Sequence, residues 1–185
     1  MKFSKVILPL LVITFLVTVP IAKADLLIEP VVGFSSGNFE SEINEEEHAT
    51  SGLSFGGRLG YQNLGFQLGV DYLNSTLSVD NDDWGDLDVS EWAAFIGYKF
   101  PVMLRVYAGY ILRSVANTEY QDLDMKFENG SGTKIGIGFT GLPFLNINLE
   151  MRQGNWDQYI LNSNTVKDDT KFSTFMIGVS VPFTL

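Results

Sequence analysis

The last stretch of the chain, from Lys171 to Leu185, constrains the fold more than any other. Large apolar residues occupy alternate positions: Phe175, Ile177, Val179, Val181, Phe183 and Leu185. The positions between them are mostly small or polar: Met176, Gly178, Ser180, Pro182 and Thr184. A period of two gives a β-strand one apolar face, whereas a helix would spread the same residues around its circumference. The stretch therefore predicts a strand with one apolar face.

Seven earlier runs alternate in the same way. They cover about residues 26–35, 51–62, 64–75, 89–100, 103–113, 132–141 and 144–152. With the C-terminal stretch they make eight predicted strands. A strand of ~10 residues is long enough to cross a bilayer when it is tilted.

The connections between these runs differ in length. Residues 62–64, 101–102 and 141–143 form short turns, whereas residues 36–50, 76–88, 114–131 and 153–170 form long loops. Short turns at one end, long loops at the other and an even number of strands are typical of outer-membrane barrels. The sheet must close, since backbone polar groups in lipid have to be paired internally. We therefore predict an all-β, eight-stranded, antiparallel, up-and-down transmembrane β-barrel.

The two faces of the strands predict which side meets lipid. One face is apolar in all eight strands, and the other carries glycine, serine, asparagine and charge. A soluble barrel would have the opposite arrangement, with its apolar face inside. We therefore expect the polar face to line the interior, where its acids and bases would neutralise each other. Its charged residues are Glu29, Arg58, Asp71, Glu91, Lys99, Arg105, Arg113, Lys134, Glu150 and Arg152.

The N-terminus has the features of an export signal. Lys2 and Lys5 precede an apolar core at 6–19, and Ala22 and Ala24 form a small-residue cleavage site. This predicts a signal peptide at residues 1–24 that is removed, leaving one barrel domain at 25–185. The chain has no cysteine, so neither a disulfide framework nor a thiolate metal site is expected.

Three segments carry a resemblance to a known family: 28–33 (IEPVVG), 56–61 (GGRLGY) and 97–101 (GYKFP). With the strand layout, they resemble the small eight-stranded outer-membrane barrels of the OmpA, OmpX and opacity-protein type. The resemblance covers essentially all of residues 25–185. It implies the barrel and a bacterial outer-membrane location, and it specifies function poorly because this fold serves many functions.

The charge of the chain is strongly acidic, with a formal net charge of −10, which argues against a nucleic-acid partner. Most of the acidic residues fall in the four predicted loops. We expect these acids chiefly to keep the exposed loops soluble and mobile. The functional alternatives are divalent cations that bridge to lipopolysaccharide in the outer-membrane lipid, or a basic partner. One loop partly matches the spacing of a calcium-binding loop. Its candidate ligands are Asp80, Asp82, Asp88 and Glu91, although Trp84 occupies a ligand position and cannot coordinate.

Catalytic chemistry has little support in the sequence. Lipid A hydrolases and acyltransferases of this architecture need a histidine beside a serine. His48 is the chain's one histidine, and it lies in a glutamate-rich segment where we expect it to be solvated. We predict a non-enzymatic, monomeric protein without a cofactor that acts structurally or through its loops. The alternatives are a lipid-A-modifying enzyme and a narrow channel or small-solute transporter.

Overall fold

The computed structural model describes residues 25–41, 46–80, 84–120, 123–161 and 164–185. The predicted signal peptide, residues 1–24, lies outside the described residues. Within them, no helix is long and apolar enough to cross a membrane. The strands are β1 (Asp25–Ser41), β2 (Glu46–Asn63), β3 (Phe66–Val79), β4 (Leu87–Lys99), β5 (Leu104–Tyr120), β6 (Leu123–Leu142), β7 (Leu145–Leu161), β8 (Asn164–Ser180) and β9 (Phe183–Thr184).

The strands form one closed antiparallel barrel. Each of β1 to β7 pairs with the next strand in sequence, and β8 pairs with β1 to close the barrel. The short β9 continues the course of β8 after an interruption at Val181 and Pro182, and it pairs with Leu27 and Ile28 of β1. The predicted eight-stranded up-and-down barrel is therefore confirmed, with its last strand divided into two pieces.

The first short turn differs from the prediction by about two residues. It consists of Leu64 and Gly65, with φ angles of 48° and 89°, rather than residues 62–64. Two consecutive residues with positive φ form a turn whose backbone twist matches the right-handed twist of the two flanking strands. Glycine adopts this conformation at little cost, which accounts for Gly65.

The outer surface carries a continuous apolar belt. Its side chains are about half exposed because lipid, not protein, is their solvent. Members from around the barrel are Val32, Phe55, Leu68, Ile96, Val106, Ile137, Ile147 and Ile177. The apolar-out arrangement predicted from alternation is therefore present in this part of the barrel.

Val179→Arg tests the belt directly. Val179 lies on the outer face at 37% exposure, so arginine there should lower the free energy of unfolding by about 2–4 kcal/mol in lipid vesicles. Val179→Leu is the matched control and should change it little. Ser180→Arg is not a neutral comparison, since Ser180 is buried and hydrogen-bonded to Glu29. Equal refolding titrations for the arginine and leucine variants would contradict the lipid-facing assignment.

The predicted long loops are mostly strand, which corrects the sequence analysis. For example, β5 continues to Tyr120 and β6 begins at Leu123, within the predicted loop 114–131. Alternation continues in these extensions, but its sense is reversed: polar side chains point outwards and apolar ones inwards. Water replaces lipid around this part of the barrel, so the apolar face turns inwards as in a soluble barrel.

The inward apolar residues of these extensions form what we call the upper cluster. Its members are Phe39, Leu77, Trp84, Leu87, Val89, Ala93, Ile111, Ala116, Met125, Phe127, Trp156 and Phe172. Trp156 and Phe172 have ring centroids 4.5 Å apart, and Phe127 lies 5.5 Å from Trp156. The barrel therefore has an apolar core at its long-hairpin end, which faces outside the cell in outer-membrane barrels.

Candidate functional site

Buried ion pairs occupy the membrane-embedded interior. Glu29 on β1 accepts two hydrogen bonds from the Arg105 guanidinium, at 2.6 and 2.9 Å. Ser180 and Asn146 also donate to the Glu29 carboxylate. A bidentate arginine–carboxylate pair with further donors is among the stronger polar arrangements in proteins. It ties β1, β5, β7 and β8 together near the short-turn end.

A second set of ion pairs lies next to the first, on the side of the long-hairpin end. Arg152 bonds to Glu150 and, at 3.0 Å, to Glu91. Arg58 donates to Glu150 at 2.7 Å. Lys134 pairs with Asp71 and lies 3.8 Å from Glu150. Arg58 also lies 3.7 Å from Glu29 and so links this set to the first. The charges of the joined network balance, which offsets the cost of burying each one.

Aromatic side chains fill the space between the ion pairs. The Arg58 guanidinium lies 4.3 Å from the centre of the Tyr107 ring, and the Arg105 guanidinium lies 5.2 Å from it. A Cβ at Gly136 would approach within 2.3 Å of the Tyr107 ring. Glycine at this position therefore lets the tyrosine lie across the lumen.

The structure brings together all the predicted inward-facing charged residues except Lys99 and Arg113. Lys99 lies exposed at the end of β4, and no acid among the described residues forms an ion pair with it. Arg113, also expected inside, is exposed. A β-bulge where β5 pairs with β4 and β6 shifts the alternation between Ile111 and Ser114. A bulge commonly re-aims a side chain in this way.

The calcium-loop candidates do not converge. Glu91 points into the lumen towards Arg152, whereas Asp88 is exposed and accepts a hydrogen bond from Thr76. Asp80 is exposed, and Asp82 lies outside the described residues. Across the described part of the chain, no group of three or more His, Asp or Glu side chains could hold a metal ion. Asp80, Asp88 and Glu91 therefore do not share one site among the described residues.

His48 is buried, which corrects the expectation of a solvated side chain. It is 4% exposed, and its ring centroid lies 5.2 Å from Phe39 and 5.4 Å from Trp84. Its Nε2 finds no hydrogen-bond partner among the described residues. The imidazole is therefore a packing element of the long-hairpin end, placed opposite Phe39 by the β1–β2 register.

The lumen is divided into separate spaces. One cavity of about 20 Å³ lies where the upper cluster meets Glu91 and Arg152, which is room for about one water molecule. A second, of about 10 Å³, lies beside Arg58. A larger space of about 220 Å³ opens at the short-turn end and shares no lining residue with either. The ion pairs and Tyr107 occupy the middle of the lumen, and the upper cluster occupies its long-hairpin end.

We expect the purified protein to give no stable conductance steps in planar bilayers. The lumen of eight strands is about wide enough for side chains to fill, and Arg58 and Tyr107 fill it here. A large porin recorded in the same membrane is the positive control. A larger side chain at Gly136 cannot serve as a variant with a blocked lumen, because Tyr107 already occupies the space beside Gly136. Reproducible steps from the wild type would contradict a closed lumen and support the channel alternative.

Comparison with known proteins bears on the fold. No protein-family model matches the chain, and no curated protein sequence matches it. Among solved structures, Neisserial surface protein A matches 85% of this chain and 97% of its own, with a TM-score of 0.56 and 16% identity. Ail of Yersinia pestis, in complex with the heparin analogue sucrose octasulfate, matches 86% and 99%, with a TM-score of 0.60 and 12% identity.

Both structures are of small outer-membrane proteins, and they align with this chain over nearly their whole length. At these identities the likeness establishes the fold alone, since one fold serves many functions. The apolar belt is independent evidence for a membrane environment. The chain has the fold of the small bacterial outer-membrane β-barrels, and the fold and the belt together confirm the predicted outer-membrane location.

Proposed function

We propose that the protein is a non-enzymatic outer-membrane barrel whose long-hairpin end binds a cationic partner at the cell surface. The observation that carries the proposal is the arrangement of acids around a rigid support. Exposed acids surround this end and form what we call the acidic rim: Glu40, Glu47, Asp80, Asp86, Asp88, Glu119, Asp124, Asp157 and Asp169. Beneath them the upper cluster is packed and buried. A fixed field of one sign attracts the opposite charge and raises association rates.

Few bases offset the rim. Within the described residues at this end, Arg113, Lys167 and Lys171 are exposed, and Lys126 is occupied by an ion pair with Glu128 at 2.6 Å. The hydrogen bond from Lys126 holds the pKa of Glu128 below its usual value, so this acid also remains charged near neutral pH. The Ail structure contains a polyanion, whereas the acidic rim would repel one. We therefore infer a cationic partner, either a basic peptide segment or divalent cations that bridge to lipopolysaccharide phosphates.

The binding test uses the protein in phosphatidylcholine nanodiscs and an oligolysine peptide. The variant E40Q/D86N/E119Q/D124N removes four rim charges that have no side-chain partner described here. We expect it to weaken binding by about tenfold, and the salt dependence of binding should fall with it. The control K167Q/K171Q removes bases instead and should strengthen binding. Calcium in place of the peptide tests the divalent-cation form of the proposal. If the four-charge variant bound oligolysine and calcium as tightly as wild type does, the acidic rim would not be the binding surface.

The non-enzymatic part of the proposal is tested separately. His48 is packed between two aromatic rings, which leaves it poorly placed to activate a nucleophile at the lipid surface. Expression of wild type should leave the lipid A mass spectrum of the host unchanged, and so should expression of His48→Ala. A new lipid A species that appears with wild type and is absent with His48→Ala would establish the lipid-A-modifying alternative.

A further inference from the structure

The short-turn end of the barrel contains an open pocket that the ion-pair network does not fill. We call it the vestibule; its volume is about 220 Å³. Its lining includes Gln62 on β2, Gln67 on β3, Lys99 on β4 and Arg105 on β5. Since the short turns of outer-membrane barrels face the periplasm, the vestibule is open to small periplasmic solutes.

The charge of the vestibule is opposite to that of the protein as a whole. Lys99 and Arg105 contribute to its wall, and among the described residues neither an aspartate nor a glutamate lines it. Glu29 compensates Arg105 from the far side of the guanidinium. The Lys99 ammonium has no such compensation among the described residues. The side chains that line the vestibule therefore carry positive charge and no negative charge, in a chain whose formal net charge is −10.

Several polar atoms in this wall lack partners. Arg105 is 1% exposed and Gln67 is 3% exposed, and within the described structure Arg105 Nε, Gln67 Oε1 and Thr140 Oγ1 form no hydrogen bond. Buried polar groups are nearly always hydrogen-bonded, to protein or to ordered water, so these atoms offer positions for water or for a ligand that displaces it. Two of these atoms, the Arg105 Nε–H and the Thr140 hydroxyl, can donate to an anion.

Part of the wall is apolar. Leu142, Phe144, Leu145 and Pro182 line the same space. Sites for small organic molecules typically combine apolar walls with a few placed polar groups. The volume is many times what one water molecule needs, so the space can hold a compact organic ligand.

We propose that the vestibule binds a small carboxylate anion with a short apolar body, taken up from the periplasm. The carboxylate accepts hydrogen bonds from Lys99, Arg105 and Thr140, while the apolar body contacts Leu145 and Pro182. The site is blind, because the Arg105–Glu29 pair and the filled lumen lie above it. It therefore holds a ligand without conducting it across the membrane.

The test uses benzoate as the probe and benzamide as its neutral counterpart. The protein is purified from membranes in zwitterionic detergent with ¹⁵N label, and backbone amide resonances of Gln67, Lys99 and Thr140 are followed. Benzoate should shift them saturably, and benzamide should require about tenfold higher concentration, since a charge-assisted hydrogen bond contributes more than a neutral one. Inorganic phosphate, which has charge and no apolar body, should bind more weakly than benzoate.

Lys99→Gln isolates the contribution of the charge. Lys99 is exposed, and its backbone N–H bond to Gly65 does not depend on its side chain, so the variant should fold as wild type. It should weaken benzoate binding by about tenfold and leave benzamide unchanged. Lys167→Gln, an exposed lysine at the opposite end of the barrel, is the matched control and should have no effect.

Three results would overturn the proposal: no saturable shift with benzoate, equal binding of benzoate and benzamide, or equal benzoate binding by wild type and Lys99→Gln. Phosphate binding as tight as benzoate would also overturn it, because the apolar wall would then have no role.

Discussion

Glu29→Gln should lower the free energy of unfolding by about 3–5 kcal/mol, because it leaves the buried Arg105 without its counter-charge and weakens the compensation of Arg58. Glu29 is fully buried, with Arg105 Nη1 at 2.6 Å and Arg58 Nη1 at 3.7 Å. Glutamine can still accept hydrogen bonds, so the loss measures the charge rather than the shape. The free energy of unfolding is obtained from urea titration of the protein in phospholipid vesicles. The folded fraction at each urea concentration is measured by heat-dependent mobility on a gel.

Two further variants make the measurement specific. Glu40→Gln on the same strand removes an exposed charge and should change stability by less than about 0.5 kcal/mol. The double variant E29Q/R105Q should recover part of the loss, since it removes the unpaired guanidinium together with its partner. Similar stability for Glu29→Gln and Glu40→Gln would show that the interior is hydrated well enough to support an unpaired arginine.

Trp156→Ala should cost about 3–5 kcal/mol, as expected for removing a large aromatic side chain from a packed core. Trp156 is 2% exposed, contacts Phe127 and Phe172, and donates to Ser114 Oγ at 3.1 Å. The same urea titration measures the loss. Amide hydrogen exchange should also increase at the long-hairpin ends of β6 and β7, while the membrane-embedded part stays protected.

Trp92→Ala is the matched control for the upper cluster. Trp92 is 50% exposed on the outer face and pairs with Tyr72 at 4.9 Å. Its loss should cost only about 1 kcal/mol, with no change in exchange at the hairpin ends. If Trp156→Ala were as mild as Trp92→Ala, the hairpin ends would not be a packed core, and the rigid support of the acidic rim would be lost with it.

The alternation of apolar residues was sufficient to predict the barrel, because lipid outside and charge inside impose a period of two on every membrane-crossing strand. The same pattern predicted that Glu29, Arg58, Glu150 and Arg152 would share the interior. Which acid would meet which base depended on strand register. Arg105 reaches Glu29 across the lumen, 76 residues away in sequence, and no local signal specifies such a pairing.

The bulge that exposes Arg113 was also invisible in the sequence. Apolar and polar residues alternate on both sides of the bulge. One extra residue in the strand exchanges the inward and outward positions after it, and composition gives no sign of this. His48 was misread for a related reason. Its glutamate-rich neighbours indicate solvent, yet in a strand the residues next to it point the other way, so acidic neighbours and a buried imidazole are compatible.

The sequence by itself determined the membrane-embedded barrel, since alternating burial in lipid leaves a periodic record in the chain. Only the tertiary structure decided what lies beyond the membrane. There water replaces lipid, so the apolar residues Phe39, Phe127 and Trp156 turn inwards although the strand period is unchanged. The vestibule likewise depends on closure of the barrel, which brings Lys99, Arg105 and Pro182 around one opening although they come from distant parts of the chain.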